Sequence, residues 1–338
     1  LRIGHIVPLI AKRYTNLAVR KRAMFLKGKS GIGKSQCVHQ AAALLAEHIP
    51  NWQGVIDIRL SQKEPTDLCG LPYVADGKTF YAKPGFMPEE GTSGIIFFDE
   101  ITSAPPAVQA ASYQYILDRC LGEHRIPDGW MIVCAGNLTS DRGITFQIAA
   151  PLLNRMCEVE VTTVLDDFIN YALPAGLKPE ICSFLKDRPD LLHKFEGKGA
   201  IEPFPSPRSW FAVGDSMDLQ LQPEDRIEVF KGDIGYEAAS TFEVHLRFWE
   251  TLPRIDDILD GKPVSISKDI QVQYAIVMGI ASRVSAENFD NVWKVLKDLP
   301  KEMQTLCVKL AYKRDKGLVG SPAFVAWAAA NQAAFKRG

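Results

Sequence analysis

The sequence has no long apolar run, no paired cysteines and no excess of either charge. Its apolar stretches, such as Ala41 to Ala46 and Val325 to Ala330, fall far short of the roughly 20 residues that a membrane-spanning helix requires. An integral membrane protein is therefore not expected. The seven cysteines, at positions 37, 69, 120, 134, 157, 182 and 307, are odd in number and scattered, with no C-x-x-C pair. A disulfide framework or zinc knuckle is excluded on that pattern, and runs such as Ile132-Val133-Cys134 suit a thiol acting as a small hydrophobe. The six histidines form no H-E-x-x-H motif, and Glu47-His48, without a second ligand at helical spacing, reads as a helix end. Thirty-nine Lys and Arg against forty Asp and Glu leave a net charge of −1, so no chain-wide field draws in nucleic acid or an anionic membrane. Leu1 to Pro8 carries one Arg and no apolar region of the secretory kind, which makes the cytoplasm the expected location.

What is present is an ordinary globular composition. The chain has 338 residues, 46% hydrophobic and 23% charged, enough for about two domains at roughly 150 residues each. Its first half alternates strand-like and helix-like segments, the pattern of a three-layer α/β domain. Strands are expected at Ala23 to Lys27, Val55 to Leu60, Ile95 to Phe98, Trp130 to Ala135 and Met156 to Val161. Helices are expected from Ser35 to His48, which Pro50 stops, and from Ala107 to Arg119, which Pro105-Pro106 starts. Near Leu165 the character shifts to helices separated by proline joints, including Pro174, Pro179, Pro189, Pro203, Pro205 and Pro207. The segments Ile270 to Val284, Phe289 to Asp315 and Ala323 to Phe335 are helical by pattern. No repeat with a period of 20 to 50 residues is found.

Two motifs carry chemistry. Gly28-Lys29-Ser30-Gly31-Ile32-Gly33-Lys34-Ser35 fits G-x-x-x-x-G-K-[ST] between a strand and a helix. Glycines let the backbone wrap a phosphate, amides of Ser30 to Gln36 point at it, Lys34 neutralises β/γ oxygens, and the Ser35 hydroxyl is a ligand for Mg²⁺. Ile95-Ile96-Phe97-Phe98-Asp99-Glu100 follows, read as a buried strand beside the loop strand with an acidic pair at its carboxyl end. Asp99 is expected in the Mg²⁺ shell and Glu100 as the group that polarises an attacking water. The bland alternative for the pair is a helix N-cap.

In this order the motifs resemble the AAA+ ATPases, and within them the MoxR-like, dynein-related group, over roughly residues 23 to 210. The run Asp99-Glu100-Ile101-Thr102-Ser103-Ala104-Pro105-Pro106-Ala107-Val108-Gln109-Ala110-Ala111 is similar to the family's D-E-I-N-R-A-x-P-x-x-Q-x-A-L, with Thr102-Ser103 in place of Asn-Arg. Glu64 to Gly70 and Phe80 to Phe86 resemble its D-L-x-G and F-x-x-G-P segments. Ala135-Gly136-Asn137 resembles its sensor 1 turn, Leu152-Leu153-Asn154-Arg155-Met156 its L-L-D/N-R-F, and Ser206-Pro207-Arg208-Ser209 its sensor 2. The resemblance implies that Asn137 holds the water or γ-phosphate, from a strand between those of the two motifs. It implies that Arg155 is an arginine finger offered to a neighbouring subunit, and that Arg208 senses the γ-phosphate in cis or in trans. A hairpin within Cys120 to Trp130 is expected to face the pore or partner, with Tyr81 and Phe86 as candidates for gripping a client. Aromatic residues in hairpins more often pack on themselves.

The resulting expectation is a P-loop NTPase core of three layers around a parallel sheet over residues 1–165. An all-α lid carrying sensor 2 follows over 166–230, then a helical extension over 231–338. The function implied is Mg²⁺-dependent ATP hydrolysis by a ring, expected to be hexameric, that remodels a protein client, with von Willebrand factor A domain proteins as the partner class the family suggests. Two alternatives stand beside it: a nucleic-acid motor or loader, and a nucleotide-dependent scaffold. The basic run Lys12, Arg13, Arg20, Lys21, Arg22 is the best nucleic-acid candidate, but it lacks interleaved aromatic residues and reads as a solvated face or subunit contact. Asp166-Asp167 and Asp256-Asp257 read as surface.

Overall fold

The computed structural model of the chain describes residues 1–121, 124–138, 146–195 and 202–331. It divides into two compact units, Leu1–Val164 and a second beginning at Leu165.

The first unit is built on a five-stranded sheet. Its strands in chain order are β1 (Met24–Lys27), β2 (Trp52–Arg59), β5 (Ser93–Asp99), β8 (Trp130–Gly136) and β9 (Cys157–Glu160), and the spatial order is β2-β5-β8-β1-β9. Every pairing is parallel. Two antiparallel hairpins are separate from it: β3 (Pro72–Ala75) with β4 (Lys78–Tyr81), and β6 (Cys120–Leu121) with β7 (His124–Arg125). The two placements expected for these strands part here: the acidic strand does not lie directly beside the loop strand, whereas the strand ending at Asn137 does lie between those of the two motifs, since β8 stands between β5 and β1. The apolar run of β5 is equally compatible with either position, because both are buried on two faces.

Side chains alternate across a strand, and here that alternation creates two cores. Ile96 and Phe98 of β5, Trp130, Ile132 and Cys134 of β8, and Phe25 of β1 point to one face. There they meet α5 (Pro106–Asp118) and α6 (Ala150–Arg155) through Val108, Tyr115, Ile116 and Leu152. On the opposite face Ile95, Phe97, Met131, Val133, Ala135, Met24 and Leu26 pack against α1 (Ile6–Thr15) and α3 (Lys34–Ala46). Phe97 and Phe98 are both fully buried, one in each core, and each contributes about 1.5–3 kcal/mol on removal from water. Short helices α2 (Leu17–Arg20) and α4 (Pro65–Cys69) complete the unit.

The second unit is helical throughout its described residues: α7 (Leu165–Ala172), α8 (Pro179–Asp187), α9 (Pro207–Met217), α10 (Pro223–Ile234), α11 (Tyr236–Glu250), α12 (Ile255–Leu259), α13 (Ile270–Arg283), α14 (Phe289–Leu296), α15 (Lys301–Arg314) and α16 (Pro322–Ala330). Proline opens α8, α9, α10 and α16, at the position where its missing N–H costs least. The expected single helix from Phe289 to Asp315 is two, because Pro300 ends the first and precedes the second. Phe335, expected to close the last helix, lies outside the described residues. One core runs from Phe168 to Trp327. Its centre is aromatic, with Phe184 lying 5.1 Å from Phe242 and 5.5 Å from Trp210 between ring centroids.

All seven thiols are free. Burial pushes those of Cys37 and Cys307 up to about 12, so they do not ionise near neutrality and serve as core side chains. Among the described residues no helix is long and apolar enough to cross a membrane.

Candidate functional site

The carboxyl ends of β1, β8 and β5 lie side by side, and each delivers polar groups to the same edge of the sheet. From β1 the chain enters the glycine loop. Gly31 and Gly33 adopt positive φ of 74° and 97°, which side chains disfavour. Gly28 is needed for space: a Cβ there would meet Val161 O at 2.7 Å and Ile32 Cδ1 at 2.9 Å. Ile32 is buried in the core beneath the loop, which fixes the loop's floor. Gly33 caps α3 without any side chain, so the first turn presents its N–H groups outward, together with the positive end of the helix dipole. Ser30 sits within the loop, and Gln36, in the first turn of α3, is exposed.

Lys34 is buried, and its ammonium donates to Gly28 O (2.8 Å), Lys29 O (2.8 Å) and Asn137 Oδ1 (3.0 Å). That cation therefore bridges the loop to the end of β8. Ser35 Oγ donates to Asp99 Oδ2 at 2.7 Å, bridging the loop to β5. The other Asp99 oxygen accepts from the backbone N–H of Glu100 at 2.8 Å, so the carboxylate is held on both sides and is not a helix cap. Ser35 and Asp99 are hard oxygen donors, the kind that Mg²⁺ takes alongside phosphate oxygens and water. Among the described residues no group of three or more His, Cys, Asp or Glu side chains could hold a metal by itself. A bivalent ion held by Ser35 and Asp99 would take its remaining ligands from water or from ligand oxygens.

Glu100 has φ of +57°, a conformation that costs a non-glycine residue about 1–3 kcal/mol and concentrates at functional sites. The turn is held by Ile101 N–H donating to Ala135 O (3.0 Å) and by Ser103 and Ala104 N–H groups donating to Glu100 O (2.8 and 3.2 Å). Its carboxylate accepts from the Ser61 hydroxyl, which follows β2. Asn137 is fixed at its backbone by Thr102, whose Oγ1 accepts from the Asn137 N–H at 2.8 Å. Ser61 and Thr102 escaped the sequence reading. Thr102 had a signal, since it stands where the family pattern has Asn; Ser61 had none.

Lys34, Ser35, Asp99, Glu100 and Asn137 thus belong to one connected set. Arg155 takes no part in those contacts. It is the last residue of α6 and is exposed, and among the described residues its guanidinium has no acceptor. Arg208 belongs to the second unit, where it is the second residue of α9 and exposed. Beneath it, Ser206 and Ser209 form a reciprocal capping box. A cation in the first turn of a helix sits at the unfavourable end of the dipole, which an anionic ligand would relieve.

The two client-gripping candidates separate. Tyr81 is exposed on the β3–β4 hairpin together with Tyr73 and Val74. Phe86 instead packs against the core, 5.5 Å from the Tyr115 ring, so it is unsuited to gripping a client. The β6–β7 hairpin forms as expected, its turn residues 122–123 lying outside the described residues. The basic run is largely committed within the chain. Arg13 donates to Val19 O and Arg22 O, Arg20 lies over the Tyr14 ring at 4.9 Å, Lys21 pairs with Asp128 at 2.8 Å, and Arg22 donates to the end of α6. Asp166, Asp256 and Asp257 pair with Lys186, Arg283 and Lys262 at the surface.

Residues 23–156 match the AAA domain of the dynein-related subfamily. No curated protein matches the chain. Solved structures similar to it include a provisionally assigned ATPase of Cytophaga hutchinsonii (15% identity, covering 71% of this chain and 88% of that one, TM-score 0.32). They also include a single-residue mutant of RuvB from Thermotoga maritima (16% identity, 85% and 86%, TM-score 0.41). A third is NtrX of Brucella abortus in complex with ADP (14% identity, 97% and 67%, TM-score 0.40).

Proposed function

We propose that this chain, which carries a dynein-related AAA domain over residues 23–156, hydrolyses ATP with Mg²⁺ and uses the cycle to remodel a protein partner. The observation that carries the reading is the pair of cross-strand bridges, Lys34 to Asn137 and Ser35 to Asp99. They join the anion-binding loop to the two strand ends where a γ-phosphate and a water would have to be held. Ser30, Gly31, Ile32, Gly33 and Gln36 line the phosphate path through backbone N–H groups, and Lys34 exchanges carbonyl partners for β/γ oxygens. Ser35 and Asp99 would hold Mg²⁺, which when bound neutralises charge on the phosphates. Glu100 orients and polarises the attacking water, and Asn137 fixes the water or the γ-phosphate.

Arg155, exposed and without an acceptor among the described residues of its own chain, is suited to reach the nucleotide of a neighbouring copy. That supports a ring, which we take to be a cytoplasmic hexamer, with turnover gated by assembly. Arg208 would sense the γ-phosphate, in cis or in trans. The exposed β3–β4 hairpin, with Tyr81, is the candidate contact for a client. The family suggests partners of the von Willebrand factor A type. Residues 166–230 would act as the lid and 231–338 as its helical extension.

Glu100→Gln tests the reading. Turnover should fall on the order of a hundredfold or more, the usual worth of a positioned base, while ATP stays bound and the ring is retained. Hydrolysis at the wild-type rate would remove Glu100 from the mechanism.

A further inference from the structure

Arg22 lies just ahead of β1, far from Arg155 in sequence, yet its guanidinium grips the turn on which Arg155 stands. Nη2 donates to Asn154 O at 3.3 Å and to Met156 O at 2.7 Å, and Nε donates to Arg155 O at 3.3 Å. All three acceptors are backbone carbonyls at the end of α6, a six-residue helix whose last carbonyls have no intrahelical partner. A cation at that end also meets the negative pole of the helix. Arg22 is itself held in place, since Arg13 Nη2 donates to Arg22 O at 3.1 Å and the Arg22 N–H donates to Val19 O at 3.2 Å. On the other side of the turn Leu152 and Met156 are buried in the core. The backbone of residues 154–156 is therefore fixed on two sides while the Arg155 side chain is left exposed.

We propose that Arg22 is the positioning residue for Arg155: by clamping the three carbonyls around it, Arg22 sets the direction in which the Arg155 guanidinium is offered to a nucleotide on a neighbouring copy of the chain. The role rests on the reading of Arg155 as a group acting in trans. A planar fork is required for it, because two nitrogens of one guanidinium serve three oxygens in a fixed arrangement that a lysine ammonium cannot reproduce.

The test is a mixing experiment on the full chain, with ATP turnover and ATP affinity measured together. Arg22→Ala should lower turnover on the order of ten- to hundredfold, the cost of misplacing a reacting group by about an ångström, with ATP affinity unchanged. Adding Glu100→Gln chains, which keep Arg22 and Arg155, should restore turnover at the Arg22→Ala sites, whereas a general loss of fold would not be rescued. The double variant Arg22→Ala/Arg155→Ala should be no slower than Arg155→Ala alone, because both changes remove one function. Arg22→Lys should fall between wild type and Arg22→Ala, and it replaces Arg22→Ala in the same mixing if that chain fails to fold. Wild-type turnover in both Arg22 variants, no rescue on mixing, or additive losses would overturn the proposal. Loss of turnover in Arg155→Ala with wild-type turnover in Arg22→Ala removes the positioning role alone. Wild-type turnover in Arg155→Ala removes the reading of Arg155 and this proposal with it.

Discussion

Replacing Thr102 by valine isolates a single hydrogen bond at the centre of the site. Thr102 is 4% exposed, and its Oγ1 accepts from the Asn137 N–H at 2.8 Å. Its own carbonyl accepts from Phe146 N–H, a bond that any residue at 102 keeps. Valine preserves the branched shape and the methyl packed toward Gly136, where an added Cβ would lie 2.6 Å from Thr102 Cγ2. What is lost is the acceptor. A fully buried N–H left unpaired costs about 1–3 kcal/mol; that of Asn137 is half-buried, so the loss lies at the lower end, about 1 kcal/mol, which in a unit of this size lowers Tm by roughly 2–4 °C. Part of that cost is recovered if the Asn137 peptide turns toward water, and the turn moves Oδ1 away from its 3.0 Å contact with Lys34 Nζ. Turnover should then fall on the order of ten- to hundredfold, with ATP affinity little changed because the glycine loop is untouched. Thermal melts and steady-state hydrolysis, with equilibrium nucleotide binding alongside, measure all three quantities. Thr102→Ser keeps the oxygen and should keep turnover. Wild-type Tm and wild-type turnover in Thr102→Val would refute the argument that this bond positions Asn137.

Two further predictions concern the helical unit. Glu243 is buried and accepts a bidentate pair of bonds from Arg226, at 3.0 and 2.7 Å. Arg226→Met should destabilise the unit by up to about 3–5 kcal/mol, because it leaves buried Glu243 only the looser 3.9 Å pairing with exposed Arg247, whereas Arg226→Met with Glu243→Leu should recover most of the loss; thermal or denaturant melts decide it. His245 lies among Phe184, Phe242, Phe248 and Trp249, and burial holds its imidazole below the ordinary 6.5. The unfolded chain therefore binds the proton first, so the stability contributed by neutral His245 is present above 6.5 and is lost as pH falls below it. Glu180, pushed up by burial, works in the opposite sense, favouring the folded state at low pH and losing that contribution as pH rises above the ordinary carboxylate range. His245→Phe should flatten the decline in Tm between about pH 7 and pH 5, where an ordinary imidazole titrates, and an unchanged slope would exclude His245 as its source.

Much of the first unit was readable from the chain because its signals are local. A glycine loop between an apolar strand and an alanine-rich helix leaves little choice of conformation, and four consecutive apolar residues before Asp99-Glu100 require burial on both faces. Periodicity also placed the helices of the second unit, but it overlooked Pro300, since apolar spacing continued across the break. Phe86 looked as available as Tyr81 in sequence. Only the packing of α5, which brings Tyr115 beneath Phe86, separates a core aromatic from an exposed one.

The sequence by itself determined which residues could do chemistry: a loop that must bind an anion, a lysine and a serine beside it, two carboxylates at a strand end, and an asparagine and two arginines in a recognisable order. Tertiary structure alone decided through which atoms they meet and what holds them. Lys34 and Asn137 are 103 positions apart, and Arg22 and Met156 are 134 apart. A parallel sheet brings such residues together only through crossovers whose order no local pattern encodes. Placing β8 between β1 and β5 sets Asn137 against Lys34. The end of β2 puts Ser61 on Glu100, and the start of β1 puts Arg22 under Arg155. Each of those supporting residues is ordinary in sequence, because a hydroxyl or guanidinium gains its role only from the oxygen or N–H that folding sets before it.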